Sequence, residues 1–455
     1  ENLKSAQITF AKDVLMDIPG VQTSTDRPGD YTNVSIRGSD NDQVLFLIDG
    51  IELGDPSSPS TQFQPDHLIT ANIGRLEVLR GNQSSLYGSN AIGGVVNINT
   101  KRAKEERVQF SAEGEYGAHD TYNGGASVIG KSGPLDYRIT ANGYSHDGPS
   151  LADPATGPAR EKDAYWRYGA SGRIGYQASD NVEMQAIGMW QNSDSNLNNT
   201  NSDNLNTVRK EEYAAAAQAK YVSNSGDFSA DLTASRFVAE RRYFGPTYSD
   251  EGDLYRGTKD KIALNSRYKI SDNASLAVGA EYEKEKTYQH TDYSGSFIAD
   301  TGTKSIYGEL VVEPIERLTL SAAGRFDDNS RFGSFDTYRA SFAYIPDTDP
   351  ELGRFKLRGS YGTGAKAPGL YQLFDPTYGN ENLVAQTSKG GDIGVDWSLG
   401  SMAAVQLSYF FTKTKNEIAW DGNIGLWGGY DQYGRTRKQG VEIGMQLHPA
   451  DWLSI

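Results

Sequence analysis

The chain has 455 residues, of which 44 are basic and 59 acidic, and its formal net charge is −15. This acidity excludes nucleic-acid binding as the leading function, because a phosphate backbone requires a basic surface. The absence of cysteine excludes a disulfide scaffold, a thiol nucleophile and a zinc-thiolate site. The sequence contains no apolar run of about 20 residues, so no transmembrane helix is expected. A polar chain rich in glycine and tyrosine is compatible instead with a transmembrane β-barrel, whose strands turn only alternate residues towards lipid.

The first hundred residues predict a compact α+β unit. Residues 11–20 place apolar side chains at helical spacing and end in Pro-Gly, which predicts a short amphipathic helix. Strands are predicted at residues 33–38, 43–48, 51–53, 75–81 and 94–99. Asp49-Gly50 is a preferred dipeptide for a tight hairpin turn, whereas residues 55–64 are rich in Ser, Pro and Gln and predict a surface loop. On this pattern alone, an ordinary soluble domain is an equally good interpretation.

From Val108 onward, apolar and polar residues alternate, which predicts a series of two-faced strands. Tight connections alternate with long polar ones, as is typical of an outer-membrane barrel. The long connections are predicted at residues 146–163, 191–211, 239–258, 288–303, 363–386 and 412–436. We count about 16 complete strands and the start of another at residues 451–455, whereas plugged transporters have about 22. An unpaired last strand would expose backbone polar groups to lipid, so we expect this sequence to be part of a longer chain.

Two segments resemble the plug domain of TonB-dependent outer-membrane receptors. They are IRGSDNDQVLFLIDGIEL at residues 36–53 and RLEVLRGNQSSLYGSNAIGGVVNINTKR at residues 75–102. Within that superfamily they are most similar to the cobalamin receptors, and residues 361–389 and 434–447 are similar to barrel segments of the same receptors. The resemblance implies a mainly β fold, with an α+β plug domain (residues 1–102) inside a transmembrane antiparallel β-barrel (residues 103–455). The sequence departs from the family by beginning after its TonB box and its earliest plug strand.

The resemblance implies active import of a large, scarce nutrient across the bacterial outer membrane, energised through TonB. Cobalamin is the first choice of cargo, and a ferric siderophore or another metal chelate is the alternative. Outer-membrane lipid is a further implied partner, no nucleic acid is expected, and the sequence leaves open whether a surface lipoprotein caps the receptor. A passive porin or adhesin is disfavoured by the plug-like segments. A soluble all-β enzyme is disfavoured because no acid–base pair or nucleophile is identifiable and the five histidines are scattered singly.

The resemblance also implies where the ligand binds and how the plug is held. Ligand contact is predicted on the upward plug loops, whose polar and aromatic side chains suit a large amphiphilic ligand, although solvated loop tips are the alternative. These residues are Asp30, Tyr31, Thr32, Ser57, Ser58, Ser60, Gln62 and Phe63. Arg37 and Arg80 each follow a strand and precede a glycine, and in related receptors the matching arginines pair with barrel acids, here Asp392 and Glu442. We expect these pairs to hold or gate the plug through buried, charge-assisted hydrogen bonds.

Calcium is the one cofactor that the sequence suggests, and no organic cofactor is expected. Residues 191–209 carry Asp194 and Asp203 among many Asn and Ser oxygens, and calcium takes about six to eight such ligands. Cobalamin receptors can use aspartates of early extracellular loops in this way, and Asp250 and Asp253 would add ligands from a later loop. The spacing matches no compact calcium motif, so an ordinary solvated loop is the alternative.

Overall fold

The structure is a computed structural model that describes residues 8–25, 32–59, 63–65, 68, 70, 73–148, 162–197, 206–246, 248, 251–292, 294–449 and 453. Its helices are short: α1 (Ala11–Met16), α2 (Ser84–Tyr87) and α3 (Leu370–Phe374), with 3-10 turns at Asn41–Gln43 and Pro350–Leu352. Within these ranges, no helix has the length and apolar character needed to cross a bilayer.

The N-terminal unit, which we call the plug, contains two small sheets. Strands β1 (Val21–Thr25) and β2 (Thr32–Ile36) form an antiparallel pair. The second sheet has the order β4-β3-β6-β5, and its strands are β3 (Val44–Ile48), β4 (Ile51–Leu53), β5 (Ile73–Arg80) and β6 (Gly94–Thr100). Strands β3 and β6 are parallel, whereas the other neighbours are antiparallel.

The sequence predicted most of the plug elements and missed two. Asp49 and Gly50 have φ angles of 48° and 83°, as a tight hairpin turn requires, so the predicted hairpin between β3 and β4 is confirmed. Helix α1 ends at Met16, before the predicted Pro-Gly stop. Strand β1 was not predicted because only Val21 of its five residues is buried, which leaves no apolar alternation to detect. The single-turn helix α2 is too short to show helical periodicity.

Sixteen strands of the described chain form one antiparallel sheet in which each strand pairs with its neighbours in sequence, and β7 and β22 form its two edges. The fold class predicted from the sequence is therefore confirmed. The strands are β7 (Val108–Gly117), β8 (Thr121–Ser132), β9 (Leu135–His146), β10 (Tyr165–Ser179), β11 (Val182–Asn196), β12 (Thr207–Val222), β13 (Phe228–Phe244), β14 (Asp253–Ser271), β15 (Ala274–Thr291), β16 (Gly295–Ile315), β17 (Leu318–Asn329), β18 (Gly333–Tyr344), β19 (Arg354–Lys366), β20 (Gln386–Leu399), β21 (Ala403–Asp421) and β22 (Gly429–Leu447).

The connections differ between the two ends of the sheet. The end with the longest ones, at residues 147–164 and 367–385, is the extracellular end by the rule for outer-membrane barrels. Several predicted long loops are wrong in extent, because residues 239–244 and 253–258 belong to β13 and β14, and most of residues 288–303 belongs to β15 and β16. Strand β16 has 21 residues, although about 9–11 suffice to cross a bilayer. Strands that extend beyond the lipid have no apolar face, so their sequence looks like that of a polar loop.

The two faces of the sheet differ in polarity. On β22, Val441, Ile443 and Met445 are each 63% exposed on the outer face, while Glu442 points inward against the plug. Strand β14 repeats this pattern with an exposed Ile262 beside a largely buried Lys261. An apolar outer face suits contact with lipid, and a polar inner face explains the mean hydropathy of −0.59.

The sheet curves around the plug. On one side of the plug, Phe10 packs against Tyr144 of β9 with ring centroids 5.0 Å apart. On another side, helix α2 contacts strands β16 to β19. The aromatic core is shared between the two units, because Phe63 lies 6.0 Å from Phe46 of the plug and 6.2 Å from Phe237 of β13, centroid to centroid. The plug and the sheet therefore bury apolar surface together. The exact division between them at residues 102 and 103 stays a prediction.

Candidate functional site

Several groups of ionic contacts join the plug to the barrel. The first, which we call the Glu442 latch, joins β22 to the plug. Arg37 donates from Nε and Nη2 to the two carboxylate oxygens of Glu442 at 3.0 and 2.8 Å, and Arg80 Nη1 donates to Oε2 at 3.2 Å. Their side chains are 7%, 22% and 9% exposed for Arg37, Arg80 and Glu442. The structure thus brings together three of the four residues predicted to hold the plug.

Asp392, the fourth residue, lies at the edge of this latch. Its Oδ2 is 3.9 Å from Arg37 Nη1, whereas Arg358 of β19 lies closer at 3.4 Å, and Ser360 donates to Oδ1. The contact between Arg37 and Asp392 is therefore a long-range ionic one, and Asp392 is held mainly by its own barrel neighbours. A gating role for the four residues stays a prediction.

The local backbone explains how Glu442 reaches the plug. Gly20 has a φ of 80°, and a Cβ atom at this position would overlap the carboxylate of Glu442. Arg37 also adopts a positive φ of 55°, directly after β2, and its guanidinium lies 4.7 Å from the centre of the Phe410 ring. A glycine turn and a strained arginine therefore place this ion pair at the wall.

The second group, which we call the Glu52 cluster, surrounds the β4 side chain that faces the wall. Lys259 and Lys261 of β14 donate to the two oxygens of Glu52 at 2.7 and 3.1 Å. Burial alone would raise the pKa of Glu52, but the two lysines hold that pKa below its usual value. The same lysines also contact acids of β15, with Lys259 at 2.9 Å from Glu285 and Lys261 at 3.1 Å from Glu281.

The third group lies towards the extracellular end. Lys366, at the end of β19, is fully buried and donates to Asp42 of the plug at 2.6 Å. Gln372 of α3 donates to the same Asp42 oxygen at 3.4 Å and to the carbonyl of Pro59 at 3.0 Å. The long connection that contains α3 is therefore fixed to the top of the plug.

The fourth group joins Asp40 of the plug to β21 and β22. Lys438 donates to Glu417 at 2.6 Å and lies 3.9 Å from Asp40. The pKa of Asp40 is raised to about 7, mainly by partial burial and secondly by the neighbouring Glu417. Lys438 opposes this rise. This carboxyl group therefore changes its charge near neutral pH.

The predicted ligand-binding residues lie in different surroundings from those expected. Thr32, Ser57, Ser58 and Phe63 are buried at the plug surface rather than exposed on it. Asp30, Tyr31, Ser60 and Gln62 lie outside the described residues.

Contacts with the wall explain this burial. Within the plug, the backbone N–H of Thr32 donates to Gln64 Oε1 at 2.8 Å. Ser57 donates to Asp55 at 2.6 Å, and Arg241 of β13 lies 2.9 Å from Asp55 and donates to the Ser57 carbonyl at 2.9 Å. Ligand contact by these side chains would need a rearrangement of the plug apex, and it stays a prediction.

Aromatic residues gather at the extracellular end of β21 and β22. Tyr430 lies 5.4 Å from Trp420 and 6.1 Å from Tyr371, and Tyr378 lies 5.3 Å from Trp420, all between ring centroids. Burial raises the pKa of Tyr371, so its hydroxyl stays protonated and is able to donate a hydrogen bond. This arrangement offers a rigid, partly apolar surface with polar edges.

In the described part of the chain, no group of three or more His, Asp or Glu residues is arranged to hold a metal ion such as calcium. Asp194 lies on β11, not in a loop as predicted, and Arg209 is 3.4 Å from it. Asp253 begins β14 and accepts from the Asp292 N–H at 3.3 Å. Asp203 and Asp250 lie outside the described residues. Calcium binding therefore stays a prediction.

Some interface residues could have been found from the sequence. Lys259 and Lys261, like Glu281, Glu283 and Glu285, repeat at every second position of a strand, which puts their charges on one face. Lipid excludes such a face, so the pattern indicates the lumen. By contrast, Asp42 and Lys366 are 324 residues apart, and no local pattern relates them.

Comparison with known families agrees with this architecture. The family model described as TonB dependent receptor-like, beta-barrel matches residues 59–454, and the TonB-dependent Receptor Plug Domain model matches residues 1–95. The vitamin B12 transporter BtuB of Vibrio cholerae is 26% identical over 430 residues, which cover 88% of this chain and 65% of the relative. BtuB of Photobacterium profundum is 26% identical over 415 residues, covering 88% and 64%. The chain thus spans about 65% of the length of these curated relatives.

Solved structures show the same fold. The siderophore receptor PirA from Acinetobacter baumannii superposes with a TM-score of 0.80 at 18% identity, over 97% of this chain and 76% of that one. A ferric enterobactin receptor, PfeA from Pseudomonas aeruginosa, gives a TM-score of 0.79 at 18% identity, over 98% and 77%. With a plug held inside a sheet of sixteen strands, and with a barrel model that matches most of its length, the chain belongs to the family of TonB-dependent outer-membrane receptors.

Proposed function

We propose that this protein imports a large, scarce nutrient across the bacterial outer membrane, with energy supplied through TonB. The observation that carries the proposal is the plug, which buried ion pairs such as that of Lys366 with Asp42 hold inside the sheet. A passive porin keeps an open aqueous lumen, so a plug fixed in this way argues against one.

The ionic contacts explain why transport needs an external energy source. Separating a buried ion pair costs several kcal/mol, because each charge loses its partner before water reaches it. Ligand binding shifts the plug only by the difference between its affinities for the two plug positions. Opening several such groups together would therefore cost more than a small difference in affinity between the two plug positions supplies. Work delivered from the inner membrane through TonB would supply the rest of the free energy needed to open the plug.

We propose cobalamin as the cargo. The support comes from the curated relatives, because the matched Vibrio and Photobacterium proteins are named vitamin B12 transporters and align over most of this chain. The aromatic residues around Trp420 and Tyr430, with Tyr371 as a donor, suit a large ligand that has both apolar faces and amide edges.

A ferric siderophore is the second candidate, and two observations favour it. The fold is similar to those of siderophore receptors from Acinetobacter and Pseudomonas. The extracellular end also contains cations beside aromatic rings: Arg331 lies 4.7 Å from the centre of Phe374, and Arg241 lies 5.3 Å from the centre of Tyr255. Cations and tyrosines together suit an anionic iron chelate.

Equilibrium binding to the detergent-solubilised protein distinguishes the two cargoes. Cyanocobalamin and a ferric catecholate siderophore would be titrated separately, with intrinsic tryptophan fluorescence as the readout. We expect saturable binding of cyanocobalamin only, and weaker binding after Trp420→Ala, with Trp397→Ala, on the opposite end of the barrel, as the matched control. Saturable binding of the siderophore alone would refute cobalamin as the cargo and support the siderophore. Binding of neither would refute both cargoes.

A further inference from the structure

Five basic side chains form a patch on the outer face of the barrel. They belong to the neighbouring strands β20, β21 and β22, and all five are exposed. Each lies an even number of positions from an exposed apolar residue of its own strand, namely Ile393, Leu407 or Val441, and therefore points to the same outer side. We call this group the basic patch, and its members are Lys389, Lys413, Lys415, Arg435 and Arg437.

The register of the strands places these cations directly opposite one another. Lys413 is paired with Lys389 on one side and with Arg437 on the other, so one row of cations crosses three strands. Lys415 and Arg435 form a further pair beside this row. Paired residues of an antiparallel sheet have Cβ atoms about 4.5–5.5 Å apart, and like charges in such pairs are destabilising. The basic patch therefore needs an anion to offset the repulsion among its members.

The basic patch has no acidic partner in the described part of the chain, where none of its five side chains makes a hydrogen bond or an ion pair. Glu417, two residues beyond Lys415, is buried and accepts instead from Lys438 at 2.6 Å. Asp431 is exposed on β22, but it lies four residues from Arg435, which is about 14 Å along a strand. The anion that the patch needs must therefore come from another molecule.

The height of the basic patch on the barrel indicates where that molecule lies. Tyr361 and Phe411 form an aromatic pair on the outer face, with ring centroids 6.5 Å apart, and outer aromatic residues mark the edge of the hydrocarbon layer. Strand β21 runs towards the extracellular end, so Lys413 lies two residues, about 7 Å, further out than Phe411. A bilayer measures about 40–45 Å and its hydrocarbon core about 30 Å, which leaves about 5–8 Å for the headgroups of each leaflet. The patch is therefore level with the headgroups of the outer leaflet.

Lipid phosphate fits this position better than a protein or a free ion does. Phosphate brings negative charge and several acceptor oxygens, which suit both the lysine ammonium groups and the planar donor fork of arginine. The acyl chains of a lipid lie against the apolar face below the patch, so they hold the phosphate at this height and at a high effective concentration. An acidic protein would have to enter the headgroup layer to reach the same cations.

We propose that the basic patch binds the phosphate groups of an anionic lipid in the outer leaflet, with Lys389, Lys413 and Arg437 as the main contacts. A bound phosphate group places negative charge between paired cations, so the lipid stabilises β20, β21 and β22 by mass action. Two of these strands also carry Asp392 and Glu442, which face the plug. The patch itself faces away from the lumen, so the proposal does not depend on which cargo is carried.

The test uses the whole protein, stripped of lipid in a neutral detergent, and counts bound lipids by native mass spectrometry. The probe is lipid A with two phosphate groups, and phosphatidylcholine, which has no net charge, is the comparison lipid. We expect saturable binding of lipid A and none of phosphatidylcholine. The triple variant Lys389→Gln, Lys413→Gln and Arg437→Gln should weaken the binding of lipid A at least about tenfold. Inorganic phosphate at millimolar concentration should not displace the lipid, because it has no acyl chains.

A matched control removes the same charge from the outer face of β15 and β16. Lys284→Gln, Lys286→Gln and Lys304→Gln replace three exposed lysines there. These lysines have an acid among them, since Asp300 is paired with Lys286 and lies 3.3 Å from Lys284. We therefore expect the control variant to bind lipid A as the unaltered protein does.

Thermal unfolding of the lipid-free proteins gives a second readout. The patch variant loses like-charge repulsion, so without lipid it should be at least as stable as the unaltered protein, and lipid A should stabilise it less. Lower stability of the lipid-free patch variant would overturn the proposal, because it would show that the cations have partners within the protein.

Three binding results would also overturn the proposal. Absence of saturable lipid A binding to the unaltered protein would exclude a lipid site and leave an acidic protein as the occupant. Displacement of lipid A by inorganic phosphate would assign the patch to a free anion. Equal lipid A binding by the patch variant and the control variant would show that the lipid does not recognise these cations.

Discussion

Replacement of Glu442 by glutamine should loosen the plug. The carboxylate accepts three hydrogen bonds, two from Arg37 and one from Arg80, in a place where it is 9% exposed. Removing one partner of a buried ion pair costs about 3–5 kcal/mol, because the other charge remains buried. Glutamine keeps one acceptor and Arg80 is partly solvated, so we expect a loss of about 3 kcal/mol in the free energy of plug unfolding.

The natural absence of cysteine provides a simple assay for this loss. An Ala91→Cys background places one thiol at a fully buried plug position, and its labelling in increasing urea reports the fraction of molecules with an open plug. A loss of about 3 kcal/mol corresponds to roughly 100-fold more open plug at a given urea concentration.

The matched control is Glu115→Gln, which removes the same charge from an exposed barrel strand and should change plug stability by less than about 0.5 kcal/mol. Equal labelling curves for Glu442→Gln and its parent would refute the reasoning, because they would show that the latch contributes no net stability.

Further outcomes are expected from the same labelling assay. Glu52→Gln should cost less than Glu442→Gln, about 1–2 kcal/mol, because Lys259 keeps Glu285 as a partner; a larger loss would contradict this. Since the folded-state pKa of Asp40 is raised from 3.8 to about 7, plug stability should fall as pH rises through that window, and Asp40→Asn should flatten the profile. Gly20→Ala should mimic loss of the latch, since its methyl group displaces Glu442; full stability would refute the close approach. Protease digestion with and without millimolar calcium tests the calcium hypothesis, which predicts protection of the segment after Asn196.

The sequence predicts the fold well where a residue type is suited to only one of the two faces of a strand, the lipid face or the lumen face. Alternation on β22 follows this rule, because Val441 and Ile443 suit lipid while Glu442 does not. The resemblance located Arg37, Arg80 and Glu442 because they lie in recognisable segments. The pair of Asp42 with Lys366 could not be found in this way, because the barrel topology alone brings together residues 324 positions apart.

The apical site shows a different limit of sequence-based reasoning. Ser57 and Ser58 look like exposed loop residues because small polar side chains dominate their segment. In the structure both are buried, and Arg241 of the barrel donates to the Ser57 carbonyl, which no property of the loop itself indicates. Likewise, Asp194 belongs to a strand because β11 continues past the membrane, where lipid no longer imposes an apolar face.

The separate pairing of β1 with β2 determines how a pulling force would travel through the plug. These strands share no sheet with β3 to β6, so traction from the N-terminal side would unzip them one hydrogen-bond pair at a time. Arg37 follows β2 directly, and its ion pair with Glu442 would be the next element to carry the load. The four-stranded sheet would experience little tension until that contact ruptured. Because of the order of elements along the chain, the Glu442 latch should break under load before the four-stranded sheet of the plug unfolds.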